Sequence, residues 1–443
     1  MNSELKIVRI NFLKLSNHNK LFKISLPIII SNSTIPIVGI VDAAVIGQLS
    51  YPILIASIGL GASAMTTIYW LFSFLRMGTT GLASQSLGRG SEIETSSILV
   101  RGMIIGLICG IILIIFQDLI FYLIFGFLKA SKEIETFAIN YLKIRFWSCP
   151  LNIMLFSMIG WLIAKEKTFI VLILQLIMNL TNIILDFLFV FYFNFGIEGV
   201  AFATLISEVI TFFLCLYFCL SAFKLINKKN YRIIFRDWKK FLDVNSNILL
   251  RSLLLQCVIV YHIYWGSTLD NYHLTINQIF ILFLNFSVFV LDGFAFSAEV
   301  LVGKAVGQRN KNEIKSSFYI CLFWSGIFGV ILTTLYFFFT PLIVQLMTSD
   351  IEITSLSQKY IFWIIAIPLS GFLSWTLDGV FFGATETTFM RNAMLKSVVF
   401  YFFLILLFHE FEFNGMWFSL IIFFIFRGIM LLRYFPKIIE KFS

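Results

Sequence analysis

The stretch Thr79-Thr-Gly-Leu-Ala-Ser-Gln-Ser-Leu-Gly88 recurs in outline as Ala298-Glu-Val-Leu-Val-Gly-Lys-Ala-Val-Gly307, at an offset of about 219 residues. Three further matches keep nearly that offset and the same order. Gly160-Trp-Leu-Ile-Ala-Lys-Glu-Lys-Thr168 stands opposite Gly379-Val-Phe-Phe-Gly-Ala-Thr-Glu-Thr387, Pro150 opposite Pro368, and Gly199 opposite Gly415. One such pair arises by chance; four in order at one spacing point to a duplicated unit. If each copy crosses a membrane an even number of times, both enter it in the same sense. They are then related by an axis along the membrane normal, with a substrate path between them. That symmetry favours a transporter over a receptor or a scaffold.

Composition says that the surroundings are lipid. Of 443 residues, 59% are hydrophobic and 13% are charged, against about 45–50% and about 25% in a soluble domain. So little charge cannot cover a soluble surface, and so much apolar matter does not stay solvated as a disordered chain. A spanning helix with its loop takes roughly 35–40 residues, so the length predicts about twelve helices. Apolar runs place them near 22–47, 53–87, 98–127, 136–164, 168–193 and 197–222, then near 246–268, 275–306, 316–346, 358–384, 389–408 and 414–435. The expected fold is all-α integral membrane, twelve transmembrane helices in two pseudo-symmetric six-helix bundles. The N-terminal lobe covers 1–222, a basic linker 223–245, and the C-terminal lobe 246–443.

The breaks between runs alternate in charge. Lys6, Arg9, Lys14, Lys20 and Lys23 precede or open the first run. Arg89, Lys165, Lys167, Lys304, Arg309, Lys311, Lys315, Arg391 and Lys396 mark later breaks on that side, with Lys224, Lys228, Lys229, Arg232, Arg236, Lys239 and Lys240 in the linker and Arg433, Lys437 and Lys441 at the end. Opposite breaks are short or acidic, as at Asp270, Asp350, Glu352, Glu410 and Glu412; Lys129, Lys132 and Lys359 are exceptions. The positive-inside rule puts both termini in the cytoplasm. The net charge of +9 then needs no nucleic-acid partner, although the linker also suits anionic lipid. No small-residue cleavage site follows the first apolar run, which is expected to remain as a helix. Six cysteines, Cys109, Cys149, Cys215, Cys219, Cys257 and Cys321, sit in apolar runs without metal-ligand spacing and read as structural.

Several motifs are more specific. They are Pro36-Ile-Val-Gly-Ile-Val-Asp42 with Gly47, Phe74-Leu-Arg-Met-Gly78 running into the stretch quoted above, Leu291-Asp-Gly-Phe-Ala-Phe-Ser-Ala-Glu-Val-Leu-Val-Gly303, Leu377-Asp-Gly-Val-Phe-Phe-Gly-Ala-Thr385, and Met390-Arg-Asn-Ala-Met394. Through these residues the sequence resembles the multidrug and toxic-compound extrusion family, and most of all its DinF-type branch. Ala164 stands where such sequences usually show Gly. The resemblance spans nearly the whole chain. It implies the same twelve helices, a bacterial inner-membrane location, no enzymatic activity and no cofactor.

Charged side chains in the bilayer cost about 2.5–3.5 kcal/mol on insertion scales, so each needs a partner, a wet cavity or a function. Asp42 lies six residues after Pro36, and a proline removes one backbone hydrogen bond and lets a helix bend. Asn182 and Asp186 share a helix face, and Thr204 follows in the next span. On residue type alone these four either converge on one polar site or act as interhelical hydrogen-bond glue. The resemblance implies the site: in that family an acid of the first helix and an Asn, an Asp and a Thr of later helices bind the coupling ion, and these carry over to Asp42, Asn182, Asp186 and Thr204, with Pro36 as hinge. Protonation and cargo would compete for this lobe, giving antiport. H+ is the expected ion and Na+ the alternative.

In the second half Asp292, Glu299 and Asp378 suggest either a secondary polar site or a structural network. Glu208 lies one turn from Thr204. Arg76, Arg251 and Arg427 read as snorkelling or paired anchors, and His262 and His273 as wet residues near helix ends. Trp70, Trp161, Trp265, Trp363, Trp375 and many Phe suit flat cations but equally suit lipid. The expected activity is secondary antiport exporting amphipathic or cationic organic compounds, by a monomer in contact with membrane lipid. The alternative is a flippase for a lipid-linked precursor, which the mainly acidic mid-helix charges disfavour. Motifs of a zinc protease, a phosphate loop or a prenyl transferase are absent from the sequence.

Overall fold

The computed structural model describes residues 14–47, 52–127, 131–226, 232–348 and 350–442. Lys6, Arg9, Lys129, Lys228 and Lys229, part of the expected charge pattern, lie outside the described residues. In the first half the helices are α1 (Leu15–Gly47), α2 (Pro52–Phe72), α3 (Phe74–Gly88), α4 (Glu92–Ile115), α5 (Gln117–Phe127), α6 (Lys132–Phe146), α7 (Cys149–Ala164), α8 (Thr168–Phe187, continued by a π turn Leu188–Tyr192) and α9 (Gly196–Leu225). A short helix, α10 (Arg232–Phe235), leads to the second half: α11 (Trp238–Thr268), α12 (Asn271–Gly307), α13 (Lys311–Met347), α14 (Ile351–Lys359), α15 (Ile361–Ala384), α16 (Thr387–Phe408) and α17 (Glu412–Lys441).

Nine helical stretches among the described residues are long and apolar enough to cross a membrane, ten with the pair α6–α7. One of them, Thr387–Lys441, holds both α16 and α17, and α1 is a further helix of 33 residues. Together these elements fill the twelve expected positions. Interruptions the hydropathy pattern does not reveal fall inside four expected runs: between α14 and α15, between α2 and α3, between α4 and α5, and between α6 and α7, where the chain bends by 55°. The last has a plain cause. Pro150 sits in the first turn of α7; it has no N–H for the carbonyl four residues back and its ring crowds that carbonyl, so α6 and α7 do not join into one straight helix.

By contacts the chain divides into two compact units, Ile30–Phe241 and Met1–Ile29 with Leu242–Ser443. The division falls within α1, and α10 belongs with the first unit although it leads into the second half. In the first unit α4 and α7 approach closely through Gly102, Gly106 and Gly110, one residue per turn. A Cβ on Gly106 would lie 2.8 Å from the Met154 backbone N, and one on Gly110 would strike Pro150. Lipid offers no hydrophobic drive for helices to associate, so this close backbone contact supplies the attraction.

The duplication is visible hydrogen bond by hydrogen bond. After α3, Arg89, Gly90 and Ser91 N–H donate to Gln85, Leu87 and Ser86 O at 3.0–3.1 Å; after α12, Gln308, Arg309 and Asn310 N–H donate to Lys304, Val306 and Ala305 O at 3.0 Å. Gly90 and Arg309 share the left-handed conformation, φ +74° and +55°. Ser91 and Asn310 then cap α4 and α13, accepting from the N–H of Glu94 and Glu313 at 3.4 and 3.2 Å.

Candidate functional site

The first unit contains a polar stripe on α8. Gln175, Asn179, Asn182 and Asp186 recur at helical spacing and so share one face. Gln175 Nε2 donates to Asn179 Oδ1 at 2.9 Å, and Asn179 Nδ2 donates to Thr34 Oγ1 of α1 at 2.9 Å. This ties α8 to α1 two residues before Pro36. Further along the stripe, Asn182 Nδ2 donates to Thr204 Oγ1 of α9 at 3.1 Å, and the threonine hydroxyl donates to Val200 O at 3.0 Å. One turn on, the carboxyls of Asp186 and Asp42 meet, close enough to hydrogen-bond when one carries a proton.

All four expected residues therefore lie around one face of α8, in two interacting pairs. Asp186, Asn182 and Asp42 are 0%, 2% and 8% exposed. Asp42 Oδ1, both oxygens of Asp186 and Asn182 Oδ1 are buried and meet no hydrogen-bond donor among the described residues. The site is rich in acceptors and poor in donors, which suits a proton or a small cation. Pro36 is exposed on α1, which stays helical through it.

Glu208 does not turn toward Thr204. It forms a buried, bidentate pair with Arg145 of α6, at 2.7 and 2.9 Å, and accepts from Asn152 Nδ2 at 2.9 Å. Arg145 is within electrostatic reach of Asp42. Sequence reasoning passed over Arg145 because it ends a helix that reads Lys132-Glu-Ile-Glu-Thr at its start, the look of a wet segment. The signal was available at the other end: an acid deep in α9 requires a cation.

In the second unit Arg251 of α11 and Arg427 of α17 both donate through Nη2 to Asp378 Oδ2 of α15. All three are buried. Asp292 is half-buried and within electrostatic reach of both arginines. Glu299 is fully buried two turns further along α12. Arg251 and Arg427 are thus paired inside the bundle rather than reaching its ends. His262 departs from expectation: it is 1% exposed, edge-on to Trp417 at 4.8 Å. His273 sits at the start of α12, bonded to Asp270 at 2.8 Å and to the Tyr360 hydroxyl at 3.1 Å.

Two compact units of long apolar helices, one of them with paired buried carboxyls, define a polytopic membrane protein. Residues 27–188 and 248–407 match the MatE family model. The chain belongs to the MatE family, that of multidrug and toxic-compound extrusion. It is 30% identical over 430 residues to DNA damage-inducible protein F of Escherichia coli K12, covering 96% of this chain and 94% of that one. Its fold matches the Vibrio cholerae MATE transporter VcmN in the bent form, with a TM-score of 0.84, 17% identity and coverage of 96% and 98%. It also matches the outward-facing conformation of a multidrug resistance MATE family transporter of the MOP superfamily, with a TM-score of 0.86, 17% identity and coverage of 98% of both chains.

Proposed function

We propose that the chain exports amphipathic, often cationic, organic compounds in exchange for H+, with Na+ as the alternative ion, and that Asp42, Asp186, Asn182 and Thr204 are where the ion is taken. The supporting observation is the carboxyl pair, Asp42 against Asp186, buried among acceptor oxygens. Two carboxyls at this range share one proton between them and titrate as a unit. Taking up that proton removes a buried charge and tightens α1 against α8 close to Pro36, where α1 lacks one backbone hydrogen bond and bends at low cost. Bending reshapes the space inside the first unit and expels the cargo, so ion and cargo compete for one unit. In this reading the chain is a monomer of the bacterial inner membrane with both termini in the cytoplasm. Membership of the multidrug and toxic-compound extrusion family supports export. A flippase for a lipid-linked precursor is less well supported. It would want uncommitted cations, whereas the buried Arg145 holds Glu208 and the buried Arg251 and Arg427 share Asp378.

The test is efflux of a fluorescent cationic dye from proteoliposomes under an imposed H+ or Na+ gradient, one at a time. The wild-type chain should respond to one gradient only, and Asp42→Asn should abolish that response while dye binding persists. Full gradient-driven export by Asp42→Asn would overturn the reading.

A further inference from the structure

Two polar contacts join α1 to α8 in the first unit. At one, Asp42 meets Asp186. At the other, Asn179 Nδ2 donates to Thr34 Oγ1 at 2.9 Å and more weakly to Thr34 O at 3.4 Å. The contacts lie about two turns apart on each helix, roughly 10–12 Å along the axis. Pro36 falls between them on α1.

The Asn179 contact is one link of a chain. Gln175 Nε2 donates to Asn179 Oδ1 at 2.9 Å, which turns the Asn179 amide so that Nδ2 faces α1. The Thr34 hydroxyl accepts from Asn179 and donates in turn to Ser31 O at 2.7 Å. Three donors thus run in one sense, from α8 into the backbone of α1, and each polarises the next. Asn179 and Ser31 are both buried. The chain ends beside the weakest point of α1, because Pro36 has no N–H to offer the carbonyl of Asn32, the residue after Ser31.

The two contacts differ in what breaks them. Gln175, Asn179 and Thr34 carry no titratable group, so their bonds are indifferent to the arrival of a proton. The Asp42–Asp186 contact holds only while a proton or a cation lies between the carboxyls, since two bare carboxylates repel. A helix fastened on one side of a proline by bonds that never titrate, and on the other by a pair that does, moves on the titrating side. Interhelical hydrogen-bond glue has no need to place its fixed bond immediately ahead of that proline.

We propose that Asn179 is a positioning residue of the ion-coupling centre: through Thr34 it pins α1 to α8 ahead of Pro36, sets where Asp42 lies against Asp186, and confines the movement of α1 to the part that carries Asp42. Its role in export rests on the exchange proposed above, whereas its setting of the carboxyl contact does not.

The test uses the full chain in proteoliposomes. A hydrophobic carbodiimide labels protonated buried carboxyls, and labelling of Asp42 and Asp186 is followed against pH by peptide mass spectrometry. The wild type should show two separated steps, as a coupled pair does. Thr34→Val, which exchanges the hydroxyl for a methyl of similar size, and Asn179→Ala should merge the steps into one, and Thr34→Ser should restore them. Gradient-driven dye efflux should fall about 10–100-fold in Thr34→Val and Asn179→Ala, the loss that follows when the support of a working group is removed. The dye KM should stay at the wild-type value, because cargo binding itself is untouched. Two-step labelling in both variants would overturn the proposal; with a fall in efflux and in Tm it would mark Asn179 as packing glue. Wild-type efflux in both variants would overturn it as well. Failure of the exchange reading shows separately, as gradient-driven export by Asp42→Asn while Thr34→Val and Thr34→Ser still differ in labelling; the pin then sets the carboxyl pair but not export.

Discussion

Glu208 and Arg427 occupy the same position of the repeat and carry opposite charges. Glu208 takes Arg145 as its partner, and Arg427 takes Asp378, so each half holds a buried ion pair built from opposite ends. Asn152 completes the first pair and Arg251 the second. Neither pair is solvent-screened; removing Glu208 takes the carboxylate from Arg145, and removing Asp378 takes it from both Arg427 and Arg251.

Glu208→Gln should therefore lower stability by about 3–5 kcal/mol, the usual cost of an uncompensated buried charge. The double variant Arg145→Met with Glu208→Leu should recover most of it. Thermal unfolding of the detergent-solubilised chain reads both. A double variant as unstable as the single one would show that the pair also fixes the packing of α6 on α9.

Asp378→Asn and Arg251→Gln should differ. The first leaves two like charges buried together; the second leaves Asp378 with Arg427. The expected order is a larger loss of Tm for Asp378→Asn, again about 3–5 kcal/mol. The reverse order would place the main partner of Arg251 elsewhere.

Thr204→Ala removes the acceptor for Asn182 Nδ2, a hydrogen bond worth about 0.6–2 kcal/mol inside a membrane. Thr204→Ser keeps the hydroxyl. Ion-driven efflux in proteoliposomes should fall for Ala and be largely kept for Ser, with protein yield similar for both. Equal efflux by the two would remove Thr204 from the site.

Gly110→Val places side-chain atoms where Pro150 backbone already lies, so α4 and α7 separate. Overpacking costs about 1–3 kcal/mol where side chains give way, and more where the obstacle is backbone. The variant should express poorly and unfold well below the wild type, whereas Gly126→Ala, where an added Cβ meets nothing, should be silent. Comparable melting of the two variants would contradict the close α4–α7 contact.

Much of this was legible in the sequence because lipid imposes simple rules. Hydropathy marks the spans, the offset of the repeat predicts two equivalent halves, and Asp42, Asn182, Asp186 and Thr204 are conspicuous as polar residues in apolar runs. What stayed hidden depends on helix rotation and crossing. Arg145 reaches Glu208 across 63 residues and Arg251 reaches Asp378 across 127, pairings that no local spacing encodes. Asn179 and Gln175 extend the α8 stripe, but only the approach of Thr34 shows that it faces α1. His262 sits in an apolar run near its end and looks wet, yet Trp417 covers it.

The acid pair has no echo in the second half, where Tyr261, Tyr401 and Ile405 stand at the positions of Asp42, Asn182 and Asp186. On the exchange proposed above, the two halves therefore share a single coupling centre. Under the exchange proposed here, a centre of two carboxyls carries at most two protons per turnover. The steepest cargo ratio it sustains at electroneutral exchange is then the square of the proton ratio across the membrane, a thermodynamic ceiling written into the stoichiometry of one helix pair.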